Sequence, residues 1–335
     1  KDFSCPMDED SLKDIARSES FFCYCAGVAS YVLEWYRVGG VRITIKSMTL
    51  PIKGGMSSSA AICVLVARAF NILYGLNLST RGEMNLAYMG ELRTSSRCGR
   101  LDQAWAFGVK PGLMNFDGDE IDVKPVKIKE DLHWVFADLG ASKDTVRILR
   151  DLNRAYPFPS TDAERKVQWA LGQKNNDIVQ RAVGYMASGD KPALGALMDE
   201  AQELFDSVLL PMCPEELTAP KLHSTLADKM ARTLVYGGKG VGSQGDGSVQ
   251  FLAKDAECQS KLVEYLDSKG MRAYPLTIQH TKPIRKAIIP VAGFGTRLYP
   301  ATKILKKDFF PVVDMKDGLV KPAILILLEQ LMESG

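Results

Sequence analysis

Two glycine-rich stretches and one short acidic loop hold the residue types that phosphate chemistry needs. In Pro51-Ile-Lys-Gly-Gly-Met-Ser-Ser-Ser-Ala-Ala61, Gly54 and Gly55 precede three serines, Ser57, Ser58 and Ser59, and an apolar run continues to Tyr74. Within that run Ile62, Leu65, Val66, Ala69, Ile72 and Leu73 recur at helical spacing. The glycines permit a tight turn and close backbone approach. A serine at the helix start satisfies a free N–H. The remaining N–H groups and the positive end of the helix dipole form a seat for phosphate. An ordinary serine-capped helix after a glycine loop has the same composition. Cys98-Gly-Arg-Leu-Asp-Gln103 brings Asp102 to the end of a small loop. A carboxylate there can accept a hydroxyl proton as that oxygen attacks phosphorus, although an isolated aspartate also reads as a helix cap. Gly237-Gly-Lys-Gly-Val-Gly-Ser-Gln-Gly-Asp-Gly247 has six glycines in eleven residues, either a flexible turn or a second ligand-facing loop.

The elements that would position these residues follow from periodicity. Gly40–Leu50 alternates and predicts a strand, giving a strand, glycine–serine loop, helix unit. The unit has neither the spacing of a P-loop nor that of a dinucleotide fold. Ser20–Val38 predicts a helix with Phe22, Ala26, Val28, Ala29, Val32 and Leu33 in the core, stopped by Gly39 and Gly40. A start signal at Ser79 or Thr80 opens a helix from Arg81 to about Leu92, which carries Glu91. Gly112–Val126 predicts a hairpin turning at Asp117-Gly118, and Leu132–Asp138 a buried strand. Helices are expected over Thr145–Leu152, 162–187, 191–210, Leu217–Met230 and Glu257–Lys269. Thr233–Tyr236 leads into the second glycine-rich stretch, and strands are expected at Ser248–Ala253 and near Ala273–Ile278. Residues 1–19 are polar and give little signal.

The 335 residues leave room for two or three domains, and 46% hydrophobic with 24% charged residues is an ordinary globular balance. A net charge of +2 points to neither a nucleic-acid nor a membrane partner. The seven cysteines are odd in number, scattered and without a C-x-x-C pair. With three histidines they exclude an evident zinc site and fit reduced thiols in a cytoplasmic protein. Cys23-Tyr-Cys25 reads as packing. No apolar run reaches membrane-spanning length and no signal peptide is visible. Nothing in the sequence sets the oligomeric state.

The first glycine–serine stretch resembles the phosphate loop of the GHMP kinases (galactokinase, homoserine, mevalonate and phosphomevalonate kinases), P-x-x-x-G-L-S-S-S-A-A, with Met56 at the leucine position. Cys98–Gln103 resembles the C-G-x-x-D-Q segment of galactokinase-like enzymes, which implies Asp102 as the base. By the same resemblance Glu91 fits the helical glutamate that helps hold Mg²⁺, and Ser59 the phosphate-loop ligand to that ion. The second glycine-rich stretch resembles the third family motif, G-x-K-x-x-G-A-G-G-G-G, and implies that Gly240, Gly242 and Gly245 border the site. Gln244 and Asp246 depart from that motif, and the acidic residue is expected to alter how phosphate or sugar approaches. Arg97 and Arg100 are read as phosphate contacts or as surface residues. Three motifs in order imply an α+β fold in two lobes, ribosomal S5 domain 2-like over residues 1–135 and ferredoxin-like over 136–280, with ATP and Mg²⁺ between them. The family's earlier motif, P-G-R-x-x-L-x-G-E-H, has no counterpart in residues 1–40, so the chain is read as a fragment incomplete at its start.

A different signal follows a linker at 281–285. Lys286–Lys303 runs from an apolar stretch into Gly293-Phe-Gly295, then Thr296 and Arg297, and continues through Lys307 to Pro311. It resembles the opening of sugar-1-phosphate nucleotidyltransferases, above all the UTP–glucose-1-phosphate uridylyltransferases. The resemblance implies that Gly293, Gly295 and Thr296 wrap UTP or another nucleoside triphosphate, and that Arg297 and Lys307 are the signature basic residues. Residues 286–335 would be the truncated start of a Rossmann-like α/β domain. The pairing suggests a kinase that phosphorylates a free sugar at its anomeric hydroxyl and a fused partner that makes the nucleotide sugar. A kinase of a non-sugar alcohol such as mevalonate, and an inactive scaffold or sensor, are the other readings. The presence of Asp102, Glu91 and Ser59 opposes the inactive one, and the missing first motif favours it.

Overall fold

A computed structural model describes residues 4–20, 22–47, 57–95, 98–108, 111–118, 120–141, 143–282, 288–289, 293, 296–314 and 318–333. The chain divides into two compact units, Lys1–Ile278 and Gln279–Gly335.

The first unit is α+β. Its N-terminal part packs α1 (Glu9–Ala16), α2 (Cys23–Trp35), α3 (Ser58–Tyr74), α4 (Thr80–Glu91) and a 3-10 turn (Asp102–Phe107) around one core containing Val28, Val32, Val66, Phe70 and Met84. The antiparallel hairpin of β1 (Gly112–Asp117) and β2 (Glu120–Pro125) joins that core through Ile121. Helix α1 was not expected; the Asp8 side chain caps it by accepting from the Ser11 N–H, and Leu12 and Ala16 are buried. Helix α4 starts where the sequence signal falls, with the Ser79 hydroxyl accepting from the Gly82 N–H.

Helices α2 and α4 cross at glycine distance. A Cβ on Gly27 would lie 2.4 Å from the Gly90 carbonyl oxygen, and one on Gly90 2.6 Å from the Val28 Cα. Helix α3 buries Ile62 and Val66 of the expected stripe but not the rest of it. Leu65, Ile72 and Leu73 are exposed, whereas Ala60, Cys63, Val64, Ala67 and Phe70 are buried. The run is apolar nearly all round, so periodicity alone does not select the covered stripe.

The strand expected over Gly40–Leu50 does not form in its described part. Residues 41–47 pair with no strand among the described residues, Ile43 and Ile45 are exposed, and 48–50 lie outside the described residues. Alternation supplies side chains for two faces, but a strand also needs a neighbour's N–H and C=O groups. Among the described residues β1 and β2 pair only with each other.

The C-terminal part of this unit is an antiparallel sheet in the order β4–β5–β3–β6, with β3 at Leu132–Asp138, β4 at Val235–Gly240, β5 at Ser248–Ala253 and β6 at Arg272–Ile278. The expected lobe boundary at 135/136 falls inside β3, which is an inner strand of this sheet. Helices α5 (Thr145–Leu152), α6 (Asp162–Trp169), α7 (Asn175–Ser188), α8 (Lys191–Val208) and α9 (Pro214–Leu217) follow β3, with a π turn over Ala170–Lys174 joining α6 to α7. The single helix expected over Leu217–Met230 is two, α10 (Pro220–Leu226) and α11 (Lys229–Leu234). Pro220 opens the first, and the Asp228 side chain accepts from the Ala231 N–H to open the second. With α12 (Ala256–Ser268) they bury Leu222, Leu234 and Leu262 against Val135, Val249 and Phe251.

Strand β4 is an edge, and α8 covers it. A Cβ on Gly237 would lie 1.9 Å from the Gly195 carbonyl oxygen of α8. Asp199 Oδ1 accepts from the Gly238 N–H at 3.0 Å and Gln202 Oε1 from the Gly240 N–H at 2.8 Å. Helix side chains thus occupy N–H groups that an edge strand would leave open.

The second unit has one antiparallel pair, β7 (Pro311–Val313) with β8 (Val320–Pro322), leading into α13 (Ala323–Glu333). Lys321 Nζ bridges Asp314 at 3.0 Å and Glu329 at 2.7 Å. Among the described residues of this unit the strand pairing is antiparallel. No helix among the described residues is long and apolar enough to cross a membrane.

The Gly195–Gly237 contact predicts that Gly237→Ala destabilises the protein by about 1–3 kcal/mol through overpacking. A methyl at Gly184, where nothing lies within 4 Å, should be neutral or stabilising by about 0.5–1 kcal/mol. Urea unfolding of the two variants checks this; equal midpoints would contradict it.

Candidate active site

The site is built where α3, α4 and the 3-10 turn meet. Arg68 on α3 donates from Nε to Glu83 Oε2 at 2.8 Å and from its terminal nitrogen to the Ala106 carbonyl at 2.7 Å. Asn71 donates to Glu83 Oε1 at 2.8 Å and holds the Leu78 N–H and C=O on its own amide. One buried carboxylate therefore fixes α3 to α4, and the same arginine fixes the turn that begins at Asp102.

Glu91, the last residue of α4, has no exposed surface. Gln103 Nε2 donates to its Oε2 at 2.8 Å and lies 3.6 Å from Cys98 Sγ. Gln103 is itself fully buried, and its Oε1 has no hydrogen-bond partner. The Tyr24 phenol of α2 lies beside the Ser59 hydroxyl. Its pKa is raised by burial first, then by the Cys23 and Glu91 charges, against the lowering effect of Ser59. Burial, then the Glu91 charge, pushes the Cys98 thiol up to about 11. Asp102 is exposed and opens the 3-10 turn, next to the inward-facing Gln103.

Ser57 takes a left-handed conformation, φ 51°, and makes no side-chain cap. That conformation departs from the extended backbone of a capping residue. The expected serine cap is therefore absent at Ser57, while Ser58 and Ser59 form the first turn of α3. Gly54 and Gly55 lie outside the described residues, as does Arg97. Arg100 donates to the Gly118 carbonyl at 3.0 Å and to Asn85 at 3.3 Å, and stacks over Tyr88 at 5.5 Å. It borders a surface cleft of about 540 Å³ with Tyr31, Arg81, Met89 and Ile121.

The second glycine-rich stretch differs from its expected form. It extends β4 as far as Gly240, so the Gly240 N–H, bonded to Gln202, is not free for a phosphate. Gly242 and Gly245 have positive φ, 60° and 68°. Gln244 is buried and accepts from Gln202 Nε2 at 2.7 Å. Asp246 Oδ1 accepts from the Leu222 N–H at 2.9 Å, so this carboxylate is tied to α10. The two departures from the all-glycine pattern are internal braces.

In the second unit Gly293 and Arg297 are exposed, Thr296 begins a 3-10 turn that ends at Leu298, and Lys307 is exposed at the start of another. Gly295 lies outside the described residues. No group of three or more His, Cys, Asp or Glu side chains gathers as a metal site among the described residues. The Ser59 hydroxyl, the Glu91 carboxyl and the unpartnered Gln103 carbonyl are oxygen donors of the kind Mg²⁺ takes. Gln103 was part of a recognised segment but had no assigned role; its place directly after Asp102 in a short turn was the available signal.

Residues 23–108 match the GHMP kinases N-terminal domain. The Methanococcus jannaschii mevalonate kinase structure is similar with a TM-score of 0.58 and 17% identity, over 81% of this chain and 80% of that one. Lactococcus lactis galactokinase, solved with galactose, gives 0.55 and 16% identity over 81% and 78%. The chain has the α+β fold of the GHMP kinases. It is also 47% identical over 55 residues to the UTP–glucose-1-phosphate uridylyltransferase of Streptococcus pneumoniae and 48% over 54 residues to that of Bacillus subtilis. The chain spans 16% of the length of these curated relatives.

With its pKa near 11 rather than the usual value of 9.0, Cys98 should be alkylated by iodoacetamide at pH 8 at least roughly tenfold more slowly in the native chain than in the denatured one. Mass-spectrometric labelling rates measure this, and equal rates would contradict the half-buried placement beside Glu91.

Proposed function

We propose that the first unit is a kinase that transfers phosphate from ATP, with Mg²⁺, to a hydroxyl of a monosaccharide, the anomeric one. The observation that carries this reading is the gathering of Glu91, Gln103 and Tyr24 with Ser59, beside an Asp102 that faces solvent. The GHMP kinase fold and the matched N-terminal domain support it.

Asp102 would accept the proton of the attacking hydroxyl; its exposure leaves it open to a substrate. Ser59 and Glu91 would hold Mg²⁺, which neutralises charge on the nucleotide phosphates when bound. Gly54, Gly55, Ser57, Ser58 and the first N–H groups of α3 would seat phosphate, with Gly242 and Gly245 bordering from the other lobe. The lobes would join just before β3, and the protein would work in the cytoplasm on a small-molecule substrate. The resemblance of Cys98–Gln103 to galactokinase-like enzymes favours a sugar over an alcohol such as mevalonate.

Residues 286–335 would begin a nucleotidyltransferase that uses UTP, with Gly293, Gly295, Thr296, Arg297 and Lys307 at the nucleotide. The high identity over a short length to two uridylyltransferases supports this. The product of the first reaction would then be the substrate of the second.

Asp102→Asn should lower kcat roughly 10²–10⁴-fold with ATP affinity nearly unchanged. A coupled ADP-release assay over monosaccharides and mevalonate reads this; near-normal turnover in the variant removes Asp102 from the mechanism. Turnover of mevalonate alone would replace the sugar reading.

A further inference from the structure

The segment that joins β3 to α5 places a lysine across the second glycine-rich stretch. Leu139 N–H donates to the Gly247 carbonyl at 3.0 Å, which fixes the chain leaving β3 against that stretch. Gly140 turns it at φ 62°, and Asp144 then caps α5 by accepting from the Arg147 N–H. Between them the Lys143 side chain runs over two glycines. A Cβ on Gly247 would lie 2.8 Å from Lys143 Cδ and Cε and 3.1 Å from Nζ, and one on Gly245 3.4 Å from Lys143 Cβ. The glycines here seat a side chain, a use distinct from freeing backbone for a ligand. Any larger residue at 247 would push the ammonium away.

Lys143 forms no hydrogen bond or ion pair with any described residue. The acids around it are engaged elsewhere. Asp246 accepts from Leu222, Glu216 accepts from the Asp144 N–H at 2.9 Å, and Asp144 holds its own helix. Burial lowers the Lys143 pKa, as expected of a half-buried ammonium with no counter-charge. Such a group gains most from an anion supplied from outside. Lys239, within this stretch, donates to the Gly240 carbonyl at 3.1 Å and is already used.

We propose that Lys143 is a binding residue for an oxyanion, a carboxylate or phosphate group, that enters beside Gly245–Gly247. The inference deepens the kinase reading and rests on it for placing this stretch at the active site. The oxyanion belongs either to an acidic sugar substrate or to the nucleotide, and the two sources are separable.

Titration calorimetry with inorganic phosphate, metal-free ATP and a hexuronic acid, each against the wild-type chain and Lys143→Met, tests it. Methionine keeps the apolar stem over the glycines and removes the charge; Lys143→Gln is the second uncharged variant should the first fold poorly. Affinity for phosphate, and for either ATP or the hexuronate, should fall roughly 10- to 100-fold, as for loss of a charge-assisted hydrogen bond. A fall confined to phosphate and the hexuronate assigns the anion to the substrate; a fall for ATP assigns it to the nucleotide. Unchanged affinity for all three, or no binding of any by the wild type, overturns the proposal. Anion binding through Lys143 in a chain that transfers no phosphate would leave this inference standing and remove the kinase reading.

Discussion

A carboxyl group with no exposed surface has to be met by partners, because an unmet buried charge costs several kcal/mol. Glu91 imposes that constraint on the first unit. It lies at the end of α4, so α4 must enter the interior, and α2 must make room for it. Gly27 and Gly90 meet that demand by letting the two helices touch at backbone distance. The Gln103 amide reaches Glu91 only because the 3-10 turn is held by Arg68, which grips Glu83 and the Ala106 carbonyl together. The exposed base candidate, Asp102, is placed by the same turn one residue earlier. Two buried carboxyls on one helix, Glu83 and Glu91, thus divide the work: one locks helix to helix, the other faces the candidate site.

The C-terminal sheet solves a different problem in a related way. Strand β4 is glycine-rich and lies at an edge, where its N–H groups would invite another strand. Helix α8 closes that edge, with Gly195 against Gly237 and with Asp199 and Gln202 standing in for a neighbouring strand. Gln202 also reaches Gln244, and Asp246 reaches α10, so the turn beyond β4 is braced from two helices. That bracing holds Gly245 and Gly247 where Lys143 can lie across them.

Much of this was legible in the sequence, and the failures have physical causes. The hairpin at Asp117-Gly118, the cap at Ser79 and the strand Leu132–Asp138 depend on local signals and formed where those signals fall. The face of α3 was legible only in part, at Ile62 and Val66, because apolar residues line most of the helix and packing decides which of them are covered. The segment 41–47 has strand-like alternation but pairs with no strand among the described residues, a non-local requirement that periodicity cannot supply. Gly240 and Asp246 resembled ligand-facing positions, yet their hydrogen bonds go to Gln202 and Leu222, residues far away in the chain. The base candidate Asp102 was read from a motif. The inward role of Gln103 depended on knowing which side of a short turn faces Glu91.

The central claim is that Glu91 and Ser59 form the metal side of a nucleotide site. Calorimetric titration of ATP with and without Mg²⁺, on the wild-type chain and on Glu91→Gln, tests it most directly. The account predicts that Mg²⁺ tightens ATP binding in the wild type, and that the variant loses this gain while keeping its metal-free affinity. An equal Mg²⁺ effect in both proteins would contradict it.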